Sequence, residues 1–123
     1  MILGIGNDIV EIDRIRKSYE KHKDHFLLKL FTENERQYCM RFSDPFPRIA
    51  GRFAVKEAIV KALGTGFGKE VSWQEIEVIN NAQGKPEVFL HGSIKEKTLH
   101  TQIHVSISHC ESFASAVAVW TKC

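Results

Sequence analysis

The sequence predicts an α+β fold in which an antiparallel β core is packed against helices. A long Ala-rich segment at 48–63 has the composition of a helix. Near the C-terminus, apolar residues at 103, 105 and 107 alternate with polar ones, as in a half-buried strand. A turn-rich connector at 80–85 joins two strand-like segments and favours an antiparallel pair. No linker, repeat or low-complexity tract divides the 123 residues, so we expect 1–123 to form one domain.

The first predicted element is a strand that begins at the N-terminus. Its apolar residues, which we expect to be buried, are Ile2, Leu3, Ile5 and Ile9. After Asp8 the apolar spacing changes to a helical period, which predicts a helix from about residue 12. Another helix is predicted after Thr32, because Thr32 and Glu35 have the T-x-x-E spacing of a capping box.

The helix at 48–63 is the clearest element of the sequence. Pro47 lies at its start and Gly64 just past its end, which are the positions these residues prefer. Gly51 lies inside the helix at a cost of about 1 kcal/mol relative to Ala. We therefore expect Gly51 to pack closely against another backbone.

The C-terminal half predicts four strands and one short helix. Strands are expected at 71–80 and 86–90, followed by a helix that runs to about residue 100. Ser93 and Glu96 offer this helix a capping box. A strand through 103–107 and another at 113–120 then complete the predicted core.

Composition limits the classes of function. Lys and Arg number 17 against 15 Asp and Glu, and a net charge of +2 argues against nucleic-acid binding through phosphate neutralisation alone. The chain has no apolar run near the ~18 residues of a membrane span, and its N-terminus lacks the basic start of a signal peptide. We expect a cytoplasmic protein without membrane association. The three cysteines have no C-x-x-C spacing and are expected to be reduced thiols.

Two carboxylates are candidates for a metal site. Asp8 lies at the end of the first predicted strand, where its side chain could enter a cleft or cap the next helix. Phe53, Glu57 and Lys61 recur every four residues and so lie along one helix face. A Glu and a Lys at this spacing are also a common surface pair. Asp8 and Glu57 together could hold Mg²⁺, which prefers oxygen ligands and retains water and substrate phosphates.

Several residues are suited to a phosphorylated ligand. The Gly-rich segment at 64–68 could cradle phosphate oxygens with its backbone N–H groups, or serve only as a helix C-cap and turn. Cationic and imidazole side chains that could add donors are Arg48, Arg52, Lys56, Lys61, His104 and His109. Solvated surface charge is the alternative interpretation of these side chains.

A second basic group lies in the helix that follows Asp8. Within 14–23 a single acid, Glu20, opposes five basic residues: Arg14, Arg16, Lys17, Lys21 and Lys23. This pattern suits an acidic protein partner better than DNA, given the small net charge, although it is also compatible with a solvated surface.

The motifs, taken in order, resemble the holo-[acyl-carrier-protein] synthase family of 4′-phosphopantetheinyl transferases. The resemblance covers nearly the whole chain, from GIGNDIVEIDRI near the N-terminus through FTENERQYC at 31–39 to HVSISH at 104–109. Its most specific segment is AGRFAVKEAIVKALGTGFG at 50–68. The W-x-x-I-E-V segment from Trp73 and GKP at 84–86 also match.

This resemblance implies an enzyme of fatty acid biosynthesis. The implied reaction transfers 4′-phosphopantetheine from coenzyme A (CoA) to a serine hydroxyl of apo acyl carrier protein, releases adenosine 3′,5′-bisphosphate and requires Mg²⁺. The family also implies a homotrimer with active sites between adjacent subunits. The alternative function is a non-catalytic module that binds CoA or a nucleotide.

The resemblance also assigns roles to residues. Asp8 and Glu57 are the implied metal ligands, and Glu57 and Lys61 the implied catalytic residues, with Lys61 on the pyrophosphate. The CoA-binding set is Arg52, Phe53, Lys61, Gly64, Thr65, Gly66, Pro86 and His104. Arg14 and Lys21 are expected to bind the carrier protein.

Overall fold

The computed structural model of the protein describes residues 1–68 and 71–123. The elements in chain order are β1 (Ile2–Glu11), α1 (Ile12–His22), α2 (Asp24–Leu30), α3 (Glu33–Cys39), α4 (Phe46–Leu63), a 3₁₀ turn (Trp73–Glu75), β2 (Ile76–Asn80), β3 (Pro86–Leu90), α5 (Gly92–Lys97), β4 (Thr101–His109) and β5 (Phe113–Lys122). The strands form an antiparallel three-stranded sheet in the order β1-β5-β4 and an antiparallel β2-β3 pair. The predicted α+β class with antiparallel sheets is confirmed.

Helix α4 packs closely against the inner face of the larger sheet. Small residues make this possible: a Cβ built on Gly6 would lie 2.0 Å from the Ala58 carbonyl oxygen, and one on Gly4 would lie 2.1 Å from that of Ala62. Opposite them, β5 presents the buried side chains of Ala116 and Ala118. The close approach holds β1 directly beside the C-terminal half of α4.

The predicted burial of the β1 isoleucines and leucine is wrong for a single chain. Ile2, Leu3, Ile5 and Ile9 are 59%, 39%, 62% and 67% exposed. Side chains alternate between the two faces of a strand, and the glycine-bearing face of β1 is the one that α4 covers. The outer face is therefore exposed and mainly apolar along β1, and Val117 on β5 extends this apolar part, whereas Ser106 and Ser108 make the same face polar on β4.

Local signals located the middle helices well. The capping box of α3 is confirmed, with Thr32 Oγ1 accepting from the Glu35 backbone N–H and Glu35 Oε1 accepting from the Thr32 backbone N–H. Helix α4 begins at Phe46, slightly before the predicted start, and has Pro47 in its first turn and Gly64 as a left-handed C-cap. Helix α2 was not predicted.

Three further expectations are corrected. A Cβ on Gly51 would meet the Ile107 side chain at 3.0 Å rather than a second backbone. Strand β2 begins at Ile76, because the 3₁₀ turn occupies the residues before it. Ser93 lies inside α5, whose N-cap is His91, so Ser93 is not the N-cap.

Lys56 is buried, which excludes it from the expected set of solvated or phosphate-binding cations. Its Nζ donates to Glu35 Oε1 at 2.7 Å, to the Leu30 carbonyl at 2.8 Å and to the Trp73 carbonyl at 3.0 Å. Both side chains of the Lys56–Glu35 ion pair are fully buried. Glu35 Oε2 also accepts from the Val78 backbone N–H. The pair therefore ties α3 and α4 to β2.

Two chemical expectations can be compared with the structure. Cys39, Cys110 and Cys123 are free thiols, as expected. Among the residues described, none of the helices combines the length and apolarity needed to cross a bilayer.

Candidate active site

Asp8 and Lys61 meet where β1 passes beside α4. Asp8 lies on the inner face of β1, two residues beyond Gly6, and Lys61 lies on the last turn of α4. Lys61 Nζ donates to Asp8 Oδ1 at 3.0 Å and to the Asn7 carbonyl oxygen at 3.0 Å. Asp8 is not an N-cap, because the residue at the N-cap of α1 is Glu11.

Glu57 lies one helical turn before Lys61 and is partly buried. Desolvation raises the pKa of Glu57, and the negative charge of Asp8 raises it further, whereas Lys61 lowers it. Burial is the larger of the two effects that raise this pKa, and the repulsion from the Asp8 carboxylate adds to it. A cation bound beside both carboxylates would relieve that repulsion.

The two carboxylates suit Mg²⁺, which retains water ligands, better than a metal ion whose ligands all come from protein side chains. Among the described residues, no group of three or more His, Cys, Asp and Glu side chains is placed to hold a metal. Asp8 and Glu57 supply carboxylate oxygens, which are hard ligands, and leave the other coordination positions to water and phosphate.

Two cavities open at Asp8. One of about 330 Å³ is lined by Asp8, Glu57, Phe53 and Arg14 together with Ser18 and apolar residues of β1, α1 and α2. The other, of about 530 Å³, reaches from Asp8 and Lys61 across the outer face of the sheet. The predicted residues Asp8, Glu57, Lys61, Phe53 and Arg14 are therefore brought together around one point.

Helix α1 carries the residues expected to bind a partner. Arg14 is exposed and lines the smaller of the two cavities, and Lys21 is exposed in the last turn of α1. Asp13 pairs with Arg16 at 3.6 Å and with Lys17 at 3.1 Å. Asp13 thus neutralises part of the positive charge of α1, whereas Arg14 near the start of the helix and Lys21 near its end contribute exposed positive charge.

Arg52 and Pro86 line a different cavity, of about 250 Å³, between α4, the β2–β3 connection and β4. The Arg52 side chain is 2% exposed, donates through Nη2 to Asn80 Oδ1 and lies over the Tyr38 ring at 4.3 Å. Its Nε is buried without a hydrogen-bond partner among the described residues. Arg48 also lines the cavity, so two arginines are available there to an anionic group.

The remaining predicted residues lie elsewhere in the chain. His104 is exposed on the outer face of β4 and lines a groove of about 650 Å³ between β3 and β4. Gly64 and Gly66 have φ of 76° and 64°, and a Cβ on either would meet nothing within 4 Å. Thr65 lies between them and is exposed. Positive φ, rather than crowding, is what favours glycine in this loop.

Two features of the site had no strong local signal. Asn80 orients the Arg52 guanidinium, although the sequence indicated only a turn residue at this position. Trp73 stacks between Phe53 and Phe67, which are far from one another in sequence. The W-x-x-I-E-V motif drew attention to Trp73 without indicating its contacts.

Fold and site together define a class: an α+β protein with a carboxylate–lysine cluster and a cavity suited to anions, as phosphoryl-transfer chemistry requires. The sequence profile of the 4′-phosphopantetheinyl transferase superfamily matches residues 4–118. The chain belongs to this superfamily.

Similar proteins support the same assignment. The holo-[acyl-carrier-protein] synthase of Protochlamydia amoebophila is 47% identical over 122 residues, covering 99% of this chain and 100% of that protein. The protein of the same name from Chlamydia muridarum is 48% identical over 118 residues, covering 96% of this chain and 94% of the relative.

Solved structures show the same fold. The holo-(acyl-carrier-protein) synthase of Bacillus anthracis, solved in complex with CoA (3′,5′-ADP), has a TM-score of 0.86 and 42% identity, covering 100% of this chain and 99% of that one. The Helicobacter pylori enzyme in complex with coenzyme A has a TM-score of 0.85 and 37% identity over 95% of this chain and 99% of that one.

Proposed function

We propose that this chain transfers 4′-phosphopantetheine from CoA to a serine hydroxyl of apo acyl carrier protein and releases adenosine 3′,5′-bisphosphate, as a step in fatty acid biosynthesis. The observation that carries the proposal is the cluster of Asp8, Glu57 and Lys61 at one end of α4. Relatives at 47% and 48% identity are named for this activity, and two similar structures are CoA complexes.

Asp8 and Glu57 would hold Mg²⁺ in this reaction. The bound ion would neutralise negative charge on the diphosphate of CoA. The raised pKa of Glu57 fits such a role, because a cation relieves the repulsion between the two carboxylates.

Lys61 is proposed to contact the pyrophosphate. An ammonium group has three N–H donors, and two of those on Lys61 are directed at Asn7 and Asp8. The third can donate to a phosphate oxygen and stabilise the charge that develops on the leaving bisphosphate.

Glu57 is proposed to accept the serine proton, directly or through a water molecule. The serine oxygen forms a bond to the phosphorus of the phosphopantetheine group, and the bond from that phosphorus to the bridging oxygen of adenosine bisphosphate breaks. Glu57 lines the same cavity as Asp8 and Arg14, so its carboxylate faces the space that the serine hydroxyl would enter.

The nucleotide is proposed to lie at a contact between subunits of a homotrimer. Its proposed residues are spread over the chain: Phe53 and Lys61 line the two cavities that open at Asp8, Arg52 and Pro86 line another cavity, and His104 lines a groove. The apolar outer face of the sheet offers the surface for assembly. One subunit would supply the metal side and its neighbour the Arg52 cavity, where Arg48 and Arg52 would bind a phosphate.

The carrier protein is proposed to dock on α1 through Arg14 and Lys21. Arg14 lines the cavity that contains Asp8 and Glu57, so a partner bound to it would bring its serine close to the metal side. We further propose that residues 1–123 work as one domain in the cytoplasm.

Substitution of the two carboxylates tests the proposal. Asp8→Asn and Glu57→Gln should each lower Mg²⁺-dependent transfer from CoA to apo acyl carrier protein by about 10²-fold or more. Glu11→Gln is the matched control, since Glu11 is an exposed acid on the same strand. Wild-type transfer rates in both carboxylate variants would refute the site.

A further inference from the structure

Three aromatic rings form a continuous stack beside the proposed site. The Phe67 and Trp73 ring centroids are 3.8 Å apart with an interplanar angle of 11°. The Trp73 and Phe53 centroids are 5.1 Å apart at 24°. Trp73 is the middle ring of the stack.

The outer two rings belong to parts of the proposed site. Phe53 lies one turn before Glu57 on α4 and lines the cavity that contains Asp8 and Glu57. Phe67 lies in the glycine-rich loop at 64–68, two residues after Thr65. Trp73 therefore links the loop to the helix that carries the carboxylate and the lysine.

Trp73 is itself anchored to the core. Its carbonyl oxygen accepts from the buried Lys56 ammonium at 3.0 Å, and Lys56 is fixed by Glu35. The next residue, Gln74, donates through its side chain to the Leu28 and Phe31 carbonyls. The middle ring is thus attached to a rigid part of the molecule.

The loop needs such an attachment. Gly64, Gly66 and Gly68 all have positive φ, and a Cβ on any of them would meet nothing within 4 Å. Backbone hydrogen bonds hold the loop at its ends, from the Thr65 N–H to the Val60 carbonyl and from the Gly68 N–H to the Val71 carbonyl. Because glycine loses more conformational entropy on ordering than other residues, a loop left unattached would weaken ligand binding.

We propose that Trp73 is a positioning residue that holds the 64–68 loop in its ligand-binding conformation by stacking on Phe67. The role rests on the proposed function to the extent that the loop contacts the nucleotide part of CoA. Trp73 acts through Phe67 and takes no part in proton or phosphoryl transfer. Its loss therefore weakens CoA binding and leaves the chemical step unchanged.

The test compares Trp73→Leu, Trp73→Phe and Phe67→Leu with a control. Val78→Ala is the control, because Val78 is a core residue on β2 outside the stack. Calorimetry with adenosine 3′,5′-bisphosphate should show at least fivefold weaker binding in the two leucine variants, with KM for CoA raised similarly and kcat within twofold. Trp73→Phe, which keeps a ring, should bind within twofold of wild type.

Hydrogen exchange of the loop amides supplies a readout that needs no ligand. In the ligand-free protein, exchange at 64–68 should be at least fivefold faster in Trp73→Leu and Phe67→Leu than in wild type or Val78→Ala. Unchanged exchange in both leucine variants, or equal weakening of binding by Val78→Ala, overturns the positioning role. A wild-type protein that binds no bisphosphate and transfers nothing contradicts the proposed function, while the exchange result still decides the role of Trp73.

Discussion

At the residue scale, the surroundings of Glu57 oppose the ionisation of its carboxyl. Burial and Asp8 both raise the pKa of its carboxyl, and Lys61 opposes them only in part. The protonated form of Glu57 is therefore favoured more in the folded chain than in the unfolded chain. This preference stabilises the folded chain at pH values below 4.5, the ordinary pKa of a glutamate. The stabilisation is lost as the pH rises through the raised pKa of Glu57.

Glu57→Gln should therefore stabilise the metal-free protein at neutral pH, although it abolishes the proposed activity. The substitution removes a carboxylate that the fold holds near Asp8 and keeps a similar shape. Thermal unfolding in chelator, from neutrality to below pH 4.5, should show a higher Tm for the variant that converges on wild type at the acid end. A lower Tm for the variant at neutral pH contradicts the electrostatic interpretation.

Arg52 is the residue whose surroundings could not be read from sequence. Its spacing on α4 indicated one of several cations that either bind a phosphorylated ligand or lie on a solvated surface. The structure instead buries it against Tyr38 and Asn80, with an unpaired Nε. The Tyr38 and Asn80 contacts lie 14 and 28 positions away along the chain. Long-range contacts of this kind follow from the packing and leave no periodic signal.

At the element scale, the contact between β1 and α4 sets the geometry of the site. Gly6 allows the strand to lie against the Ala58 carbonyl, and Asp8 follows two residues later on the same face. Lys61 then reaches both Asp8 and the Asn7 carbonyl from the adjacent helix turn. A wider spacing of the two elements would separate the carboxylate from the ammonium.

Gly6→Ala should destabilise the fold and impair the site together. Its Cβ would lie 2.0 Å from a backbone oxygen, so the helix must shift, at a cost of about 1–3 kcal/mol. Urea unfolding and a transfer assay measure the two effects. Gly51→Ala is the control, because its Cβ would meet only the Ile107 side chain, and it should change stability less. Equal effects of the two substitutions would contradict the role of Gly6.

The Lys56–Glu35 pair gives a second prediction about elements. Lys56→Met leaves the Glu35 carboxylate buried without its cation and should cost about 3–5 kcal/mol in the free energy of unfolding. The double variant Lys56→Met/Glu35→Gln should recover part of this loss, because the amide is neutral. Its oxygen can accept from the Val78 N–H, whereas the Thr32 N–H loses its acceptor. Urea unfolding measures both, and a double variant less stable than the single one would contradict the account.

The elements that sequence predicted best are those with local signals. The capping box of α3 and the Pro47 and Gly64 boundaries of α4 depend on residues within a few positions of one another. Helix α2 has seven residues and no side-chain cap, so it left no such signal. The position of strand β1 was predicted correctly. The alternation of side chains does not indicate which face of a strand a helix covers, so the prediction that Ile5 and Ile9 are buried was wrong.

At the scale of the whole molecule, two observations point to assembly. The outer sheet face exposes Ile5, Ile9 and Val117, an apolar surface of the kind that marks interaction sites. The proposed nucleotide residues also lie in separate cavities of one chain. The proposed homotrimer, in which cavities of neighbouring subunits are paired, would account for both.

Ile5→Glu should disrupt the proposed homotrimer. A charge in the middle of the apolar face is costly to bury, so light scattering should report a monomer, and transfer activity should fall with it. Leu28→Glu is the matched control, because Leu28 is a similarly exposed residue on α2. A wild-type monomer, or an Ile5→Glu trimer with full activity, would contradict the shared site.

The most direct test of the proposed function is the intact mass of an apo acyl carrier protein after incubation with this protein, CoA and Mg²⁺. The carrier protein should gain the mass of one phosphopantetheine group, and adenosine 3′,5′-bisphosphate should be released. The mass gain should be lost when Glu57→Gln replaces the wild-type protein. An unchanged carrier mass, under conditions in which a known transferase modifies the same carrier, would contradict the account and favour a protein that only binds CoA.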